Sequence, residues 1–536
     1  MNLFRRFHPA FPLWFGAILL SAVLGMVGQG PVFAAEPFAY RQAIEEVGPK
    51  DRAISAFYEA RDFAPLWTGG ANRARRVALA RVLDSAGAHG LPVERYDLSD
   101  LRLGLGRTQR DRGQAELAMS RAFLAYARDV ASGVLSPSDV TPDMVRKVAR
   151  PDPVALLNAF AQSDPDAFLQ SLPPQLPDYQ RLMAEKLRLE RVISKGGWGP
   201  MVEADRLEVG ATGPGVVALR DRLMAMAYLG RSSTGQFDAA MLEAVQEFQR
   251  EHGLFDDGIV GPGTLGEINR SAKDRLKSVV VAMERLRWLP RDLGARHVWV
   301  NQADFTAKIV DNGQVTFETR TVVGRNVDDQ RSPEFSDQME FMVINPSWYV
   351  PRSITVAEYL PKLQEDPTAV SYLNVIDDQG REIPRETLNF TEFTAKTFPY
   401  SLKQGPSEAN ALGLVKFMFP NPWNIYLHDT PQKSLFARET RAFSHGCIRL
   451  AEPFEFAYAL LARQESDPVA AFAKVLNAGA EATVMLQQPV PVHLVYATAF
   501  VPAKGRANFR RDVYGRDALI WQALQSAGVE LPVVQS

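Results

Sequence analysis

Residues 425–450 read IYLHDTPQKSLFARETRAFSHGCIRL. The stretch holds Cys447, the single cysteine of the 536-residue chain, and two of its seven histidines, His428 and His445. A thiol is a strong nucleophile as the thiolate, and an adjacent imidazole that takes its proton is the minimal acyl-transfer apparatus. A third group that orients the histidine completes it. Gly446 lets the backbone come close to a substrate, and the N–H groups of Gly446 and Cys447 are candidate oxyanion donors. His445 is a competing base, only two residues from the thiol. A buried structural cysteine is the bland alternative. Against it stands the setting of Cys447, which lies in a polar, turn-like stretch and not in an apolar run. Tyr426 and His428 alternate on one strand face, so Tyr426 is a candidate substrate contact.

The length calls for more than one domain. Hydrophobic content of 46%, charged content of 23% and a net charge of −2 are ordinary for a globular protein and give no reason to expect nucleic acid. Arg5 and Arg6, the largely apolar run 11–27 and small residues near Ala34 and Ala35 read as an export signal over 1–35. An uncleaved anchor is the alternative. A single cysteine cannot form an internal disulfide, and an odd thiol in an oxidising compartment is a liability unless it acts chemically. There is no His-Glu-x-x-His, no Cys/His cluster and no Gly-rich phosphate loop, so neither metal nor cofactor is expected.

The fold class expected is multidomain α+β. A helical N-terminal scaffold covers 36–200, with helices over 53–61, 73–86, 114–132, 155–162 and 179–194 separated by Pro-rich breaks. A small three-helix module follows at 205–270. Its helix faces are marked by Val216, Leu219 and Leu223 and by Met241, Val245 and Phe248, with Thr264 as a cap for the third helix. A connecting amphipathic helix spans 271–291. From His297 the period changes to two, and a β-rich mixed-sheet domain is expected over 292–505, with a hairpin turn at Asp311-Asn312-Gly313. Strands are expected at 339–344, 415–420, 423–428, 482–486 and 493–501. Residues 353–405 read as an insertion at the site mouth, with a helix over 355–365. A helical extension closes the chain at 506–536. His493 reads as structural. Trp348 lies in the rigid segment Asn345 to Pro351 and is either a cleft wall or core.

The pattern His428, fifteen residues, then Ser444-His445-Gly446-Cys447, an apolar residue and Arg449 resembles the L,D-transpeptidase (YkuD-like) catalytic signature. Many members carry Asn where this chain has Arg449, and the Arg form is similar to the large periplasmic YcbB-type subfamily. Phe63 to Trp67, Gly90-Leu91-Pro92 and Gly196-Gly197-Trp198 resemble that subfamily's scaffold. Gly235 to Asp238, Ala244 to Gln249, His252 to Leu254 and Asp257 to Gly261 resemble the peptidoglycan-binding domain type I.

The resemblance implies a periplasmic enzyme acting on peptidoglycan stem peptides, with a tetrapeptide donor and a meso-diaminopimelate acceptor. It also implies glycan binding through 205–270 and a capping role for 353–405. It gives Cys447 the nucleophile's role and His428 the base's, with Asp429 orienting His428 through its backbone carbonyl and His445 shaping the site. Ser444, Tyr426, Trp348 and Arg449 are expected at the substrate, Arg449 either holding a carboxylate or making a local ion pair. Carbapenems are expected to acylate Cys447. A carboxypeptidase that supplies tetrapeptides and glycan-synthesis proteins are the implied protein partners. Two other readings fit the residues: an L,D-carboxypeptidase or endopeptidase with water as acceptor, and a non-catalytic wall-binding protein.

Overall fold

The computed structural model describes residues 38–46, 51–98 and 108–531, so the export signal expected over 1–35 lies outside the described residues. Among the described residues no helix is long and apolar enough to cross a membrane.

The N-terminal helices 38–45, 52–59, 73–84, 109–132, 153–162 and 165–171 share one core, built on Phe57, Tyr58, Trp67, Phe123 and Phe160. The long helix begins five residues before its expected start because Thr108 and Asp111 form a reciprocal capping box. Asp152 and Asp164 cap the two helices that follow, each with proline in the first turn. The buried carboxylate of Glu116 accepts hydrogen bonds from the amides of Leu66 (2.9 Å) and Thr68 (2.5 Å) and from the Tyr58 hydroxyl (2.5 Å). That pins the Phe63 to Trp67 loop to the long helix.

Helix 177–194, grouped with the scaffold by sequence, packs elsewhere. Its Leu182, Leu189 and Ile193 join one core with the module helices 214–225, 239–251 and 262–268, the connecting helix 272–287 and the last helix 516–526. The reason is apolar content on the connecting helix, where Leu276, Val279, Val280, Val281 and Met283 are all buried. Such a helix is covered on several sides at once.

The C-terminal domain is a mixed sheet of nine strands. They are β1 (296–301), β2 (306–311), β3 (314–324), β4 (335–344), β8 (415–418), β9 (427–428), β10 (442–444), β11 (448–450) and β12 (482–495). β5 (348–349), just before the insertion, pairs with β7 (401–404), and β7 with β6 (374–376), in a separate small sheet. β3 pairs with β2 along its first part and with β11 and β10 at its end, so all strands but β10 form a closed ring of pairings. The pairs β1–β12, β9–β11 and β3–β10 are parallel; the others are antiparallel.

Two strand expectations are corrected. The strand expected over 423–428 is reduced to Leu427–His428. Asn421 holds a turn before it, its amide donating to the carbonyls of Phe419 and Ile425 while its oxygen accepts from Trp423 and Ile425. Such Asx chemistry competes with strand pairing. The two strands expected at 482–486 and 493–501 are one strand, 482–495, with a register shift between Met485 and Val490. The bulge accommodates Pro489, which has no N–H to give, without ending the ladder. The boundary expected at 505/506 falls inside a hairpin, because Ala499–Phe500 pairs with Asn508–Phe509.

The insertion has its own core of Trp348, Leu363, Leu373, Phe390, Phe398 and Leu402, and Tyr426 packs against it. Its first helix contains a π-helical turn at Thr355–Tyr359 before Leu360–Glu365.

Candidate active site

On β8, β9 and β11 alternation divides the side chains between two faces. Val415, Phe417, Leu427, Ile448 and Leu450 enter the buried core of the sheet. The opposite face therefore carries Lys416, Tyr426, His428, Cys447 and Arg449. Register brings them together: Lys416 lies opposite His428 on one side, and Arg449 opposite His428 on the other. The Tyr426 and His428 rings meet edge to face at 5.6 Å.

His428 is buried, and its Nδ1–H donates to the Asp429 carbonyl at 2.5 Å. The carbonyl can only accept, so Nδ1 bears the proton and Nε2 is left basic. Burial, with Arg449 and Lys416 nearby, lowers His428 to about 3. Cys447 is partly exposed, and its Sγ–H donates to the Asn424 carbonyl at 3.4 Å. The protein packed around the sulfur pushes the thiol up to about 11, opposed by hydrogen bonds from Tyr426 and by the charges of Arg449 and Lys416. At neutral pH the resting pair is therefore thiol and neutral imidazole. No hydrogen bond links the two; Tyr426 stands beside both.

The loop 444–447 is held from behind. Ser332 Oγ donates to the Gly446 carbonyl at 2.6 Å, and Arg516 donates to the Ser332 carbonyl at 2.8 Å. Arg516 and Arg285 share the buried carboxylate of Glu334, which ties the connecting helix and the last helix to the loop's support. Gly446 has φ +113, a conformation suited to glycine.

Three sequence expectations change here. Ser444, expected at the substrate, is buried, and its hydroxyl donates to the Cys447 carbonyl at 2.5 Å while accepting from Gly446 N–H at 3.2 Å. It shapes the turn. The Gly446 N–H, expected as an oxyanion donor, is occupied by that contact, whereas the Cys447 N–H has no partner among the described residues. Arg449 makes no ion pair among the described residues: its Nη1 donates to Gln432 Oε1 at 2.7 Å, and its Nε is buried with no partner among them.

His445 points its Nε2 at Glu358 Oε1 (2.5 Å) on the insertion's π-helical turn, with Arg325 at 3.0 Å. It thus links the insertion to the thiol loop. Trp348 is only 9% exposed and meets Tyr359 edge to face in the insertion's core. The Asp429 carboxylate accepts from Leu414 N–H (2.9 Å), Thr430 N–H (2.7 Å) and Lys433 Nζ (2.6 Å). His493 bonds Ser336 Oγ and the Leu293 carbonyl, away from the site. Sequence reading passed over Lys416, Asn424, Ser332 and Glu358. Only Lys416 left a signal, a lone charge alternating with the apolar residues of Val415 to Phe419.

Among the described residues no group of three or more His, Cys, Asp or Glu side chains is placed to hold a metal. The arrangement sets a thiol, a basic imidazole nitrogen, an amide N–H with no partner among the described residues and two cations on one side of the sheet.

The comparisons with known proteins agree with that class of site. Residues 295–472 match the L,D-transpeptidase catalytic domain, residues 212–268 the "Putative peptidoglycan binding domain", and residues 52–185 the scaffold domain. The chain therefore carries a YkuD-type L,D-transpeptidase catalytic domain behind a peptidoglycan-binding type 1 domain. A Haemophilus influenzae protein described as "Putative L,D-transpeptidase" is 30% identical over 239 residues, which is 44% of this chain and 47% of that protein. The chain thus spans about half the length of the curated relative it matches. Two crystal structures align over 55% of the chain. The L,D-transpeptidase of Xylanimonas cellulosilytica is covered to 98%, with 15% identity and a TM-score of 0.16. That of Stackebrandtia nassauensis is covered to 97%, with 14% identity and a TM-score of 0.22.

Proposed function

We propose that this chain is an exported peptidoglycan L,D-transpeptidase working in the periplasm. Cys447 attacks the carbonyl that joins meso-diaminopimelate to the terminal D-alanine of a tetrapeptide stem. The S–C bond forms, the C–N bond breaks, and the thiol proton passes through His428 to the departing D-alanine amine. The side-chain amine of a neighbouring meso-diaminopimelate then attacks the thioester, gives a proton to His428, and leaves a direct diaminopimelate–diaminopimelate link with the thiol restored. Because the resting pair is neutral, proton transfer accompanies attack; catalytic hydrogen bonds often tighten only once substrate is seated. The Cys447 N–H serves the oxyanion, a contribution of about 3 kcal/mol in comparable sites. The insertion 353–405 caps the bound stem, and the module at 205–270 holds the glycan.

The observation that carries this reading is the meeting, on one sheet face of an L,D-transpeptidase domain, of the chain's only cysteine and a histidine whose Nδ1 proton is fixed by a backbone carbonyl. The test is intact-protein mass and muropeptide analysis after incubating the mature, reduced protein with disaccharide-tetrapeptides. An acyl adduct and cross-linked dimers, both lost in Cys447→Ala and His428→Ala, are expected. An adduct with tripeptide as the only product would make water the acceptor and the protein a hydrolase. A folded protein with a titratable thiol and neither product would leave wall binding through 205–270 as its function. Carbapenems are expected to give the same Cys447-dependent adduct.

A further inference from the structure

Lys416 and Arg449 are two cations without an acid. The ammonium of Lys416, half-buried on β8, makes no hydrogen bond and no ion pair among the described residues; it lies 6.0 Å from the Tyr426 ring centroid. Among the described residues the Arg449 guanidinium bonds only the neutral Gln432 side chain. The nearby acids are engaged elsewhere. Glu358 holds His445, Asp429 holds Lys433, and Glu481, whose charge reaches Lys416, accepts the Ser347 N–H at 2.6 Å. Arg325 adds further positive charge beside Arg449.

The rest of the chain treats its buried cations differently. Arg275, Arg285 and Arg287 each meet a carboxylate. Arg222, which has none, donates to the carbonyls of Ile268, Gly199, Pro200 and Arg270. Desolvated charge is costly unless paired, so an unpaired couple beside a reactive thiol points to an anion that arrives from outside.

Position selects the anion. Arg449 lies one side-chain repeat beyond Cys447 on the same face, about 7 Å along the strand. In a stem attacked at its last peptide bond, the terminal carboxylate carbon lies about 3.5 Å from the attacked carbonyl, within the reach of both side chains. We infer that Lys416 and Arg449 form a subsite for the free carboxylate of the residue that leaves on acylation. This rests on the function proposed above.

The test compares acylation of Cys447 by a disaccharide-tetrapeptide ending in D-alanine with that by the same compound ending in D-alaninamide. Both donors meet the same thiol and differ only at the C-terminal group, so the change in their ratio between wild type and variant reports the carboxylate contact. A charge-assisted contact predicts that wild type favours the acid by about 10- to 100-fold. Lys416→Met should bring the ratio close to one, and Lys416→Arg should restore most of it. Wild-type protein that is acylated equally by both donors, with the ratio unmoved by Lys416→Met, would overturn the subsite. A ratio unchanged in Lys416→Met would remove Lys416 from it. If neither donor acylates a thiol that iodoacetamide still alkylates, the transpeptidase reading itself falls, and the subsite with it.

Discussion

Asp429 offers a sharp test, because its backbone and its side chain do different things. The carbonyl fixes the His428 tautomer, whereas the buried carboxylate collects Leu414 N–H, Thr430 N–H and Lys433. Asp429→Asn leaves the carbonyl in place and replaces one carboxylate oxygen with an NH2 group. One of the two amides then faces a donor instead of an acceptor, which costs about 1–3 kcal/mol. The surviving bond loses its charge assistance, about 1 kcal/mol, and the half-exposed Lys433 contact adds less than about 1 kcal/mol. There is little room to relax, because Gly413 packs so closely on the carboxylate that even a Cβ there would collide with it. The expected loss is about 2–4 kcal/mol of local stability, read as faster hydrogen exchange in peptides covering 412–430. The rate of thioester formation should stay within about tenfold, because His428 keeps its orienting acceptor. A carboxylate acting as the third member of a triad behaves otherwise: its amide costs about 10,000-fold in rate. A loss of that order in a variant that is still folded at the assay temperature would refute the backbone-carbonyl account.

Two predictions concern titration. His428 and His493 are buried and held near 3 and 4, below the value of about 6.5 for an unfolded chain. The unfolded state then binds more protons below pH 6.5. Their contribution to stability is intact above that pH and falls away toward pH 4, by about 1.4 kcal/mol per pH unit for each histidine. Urea unfolding midpoints at pH 7.5, 6 and 5 should therefore fall, and a flat series would contradict the burial argument. With the Cys447 thiol raised to about 11, its alkylation by iodoacetamide should rise close to tenfold per pH unit from pH 7 to 10. A plateau below pH 8 would instead reveal a preformed thiolate–imidazolium pair.

What the sequence made legible, and what it did not, follows from how each residue comes to its place. Alternation assigned Tyr426 and His428 to one strand face, and their rings meet there. Spacing within a loop is local information too, so Cys447 and Gly446 were readable from a short stretch, whereas the role of the Asp429 carbonyl came from the family resemblance alone. Ser444 was misread because a hydroxyl beside a glycine can serve either a substrate or its own turn, and only the backbone path decides. Asn421 and Asn424 likewise ended a strand that apolar pattern alone would have extended. Lys416 was out of reach for a different reason. Its period-two position told which face it occupies, but the partner it sits opposite depends on the antiparallel register of β8 and β9, set by a turn whose geometry the residue pattern did not reveal. The same holds for Ser332 and Arg516, which approach Gly446 from far along the chain. Chemistry carried by neighbours in sequence was legible; chemistry assembled by strand register was not. The cation pair around His428 belongs to the second kind: one member lies inside the recognised signature, and the other is brought to it only by the sheet.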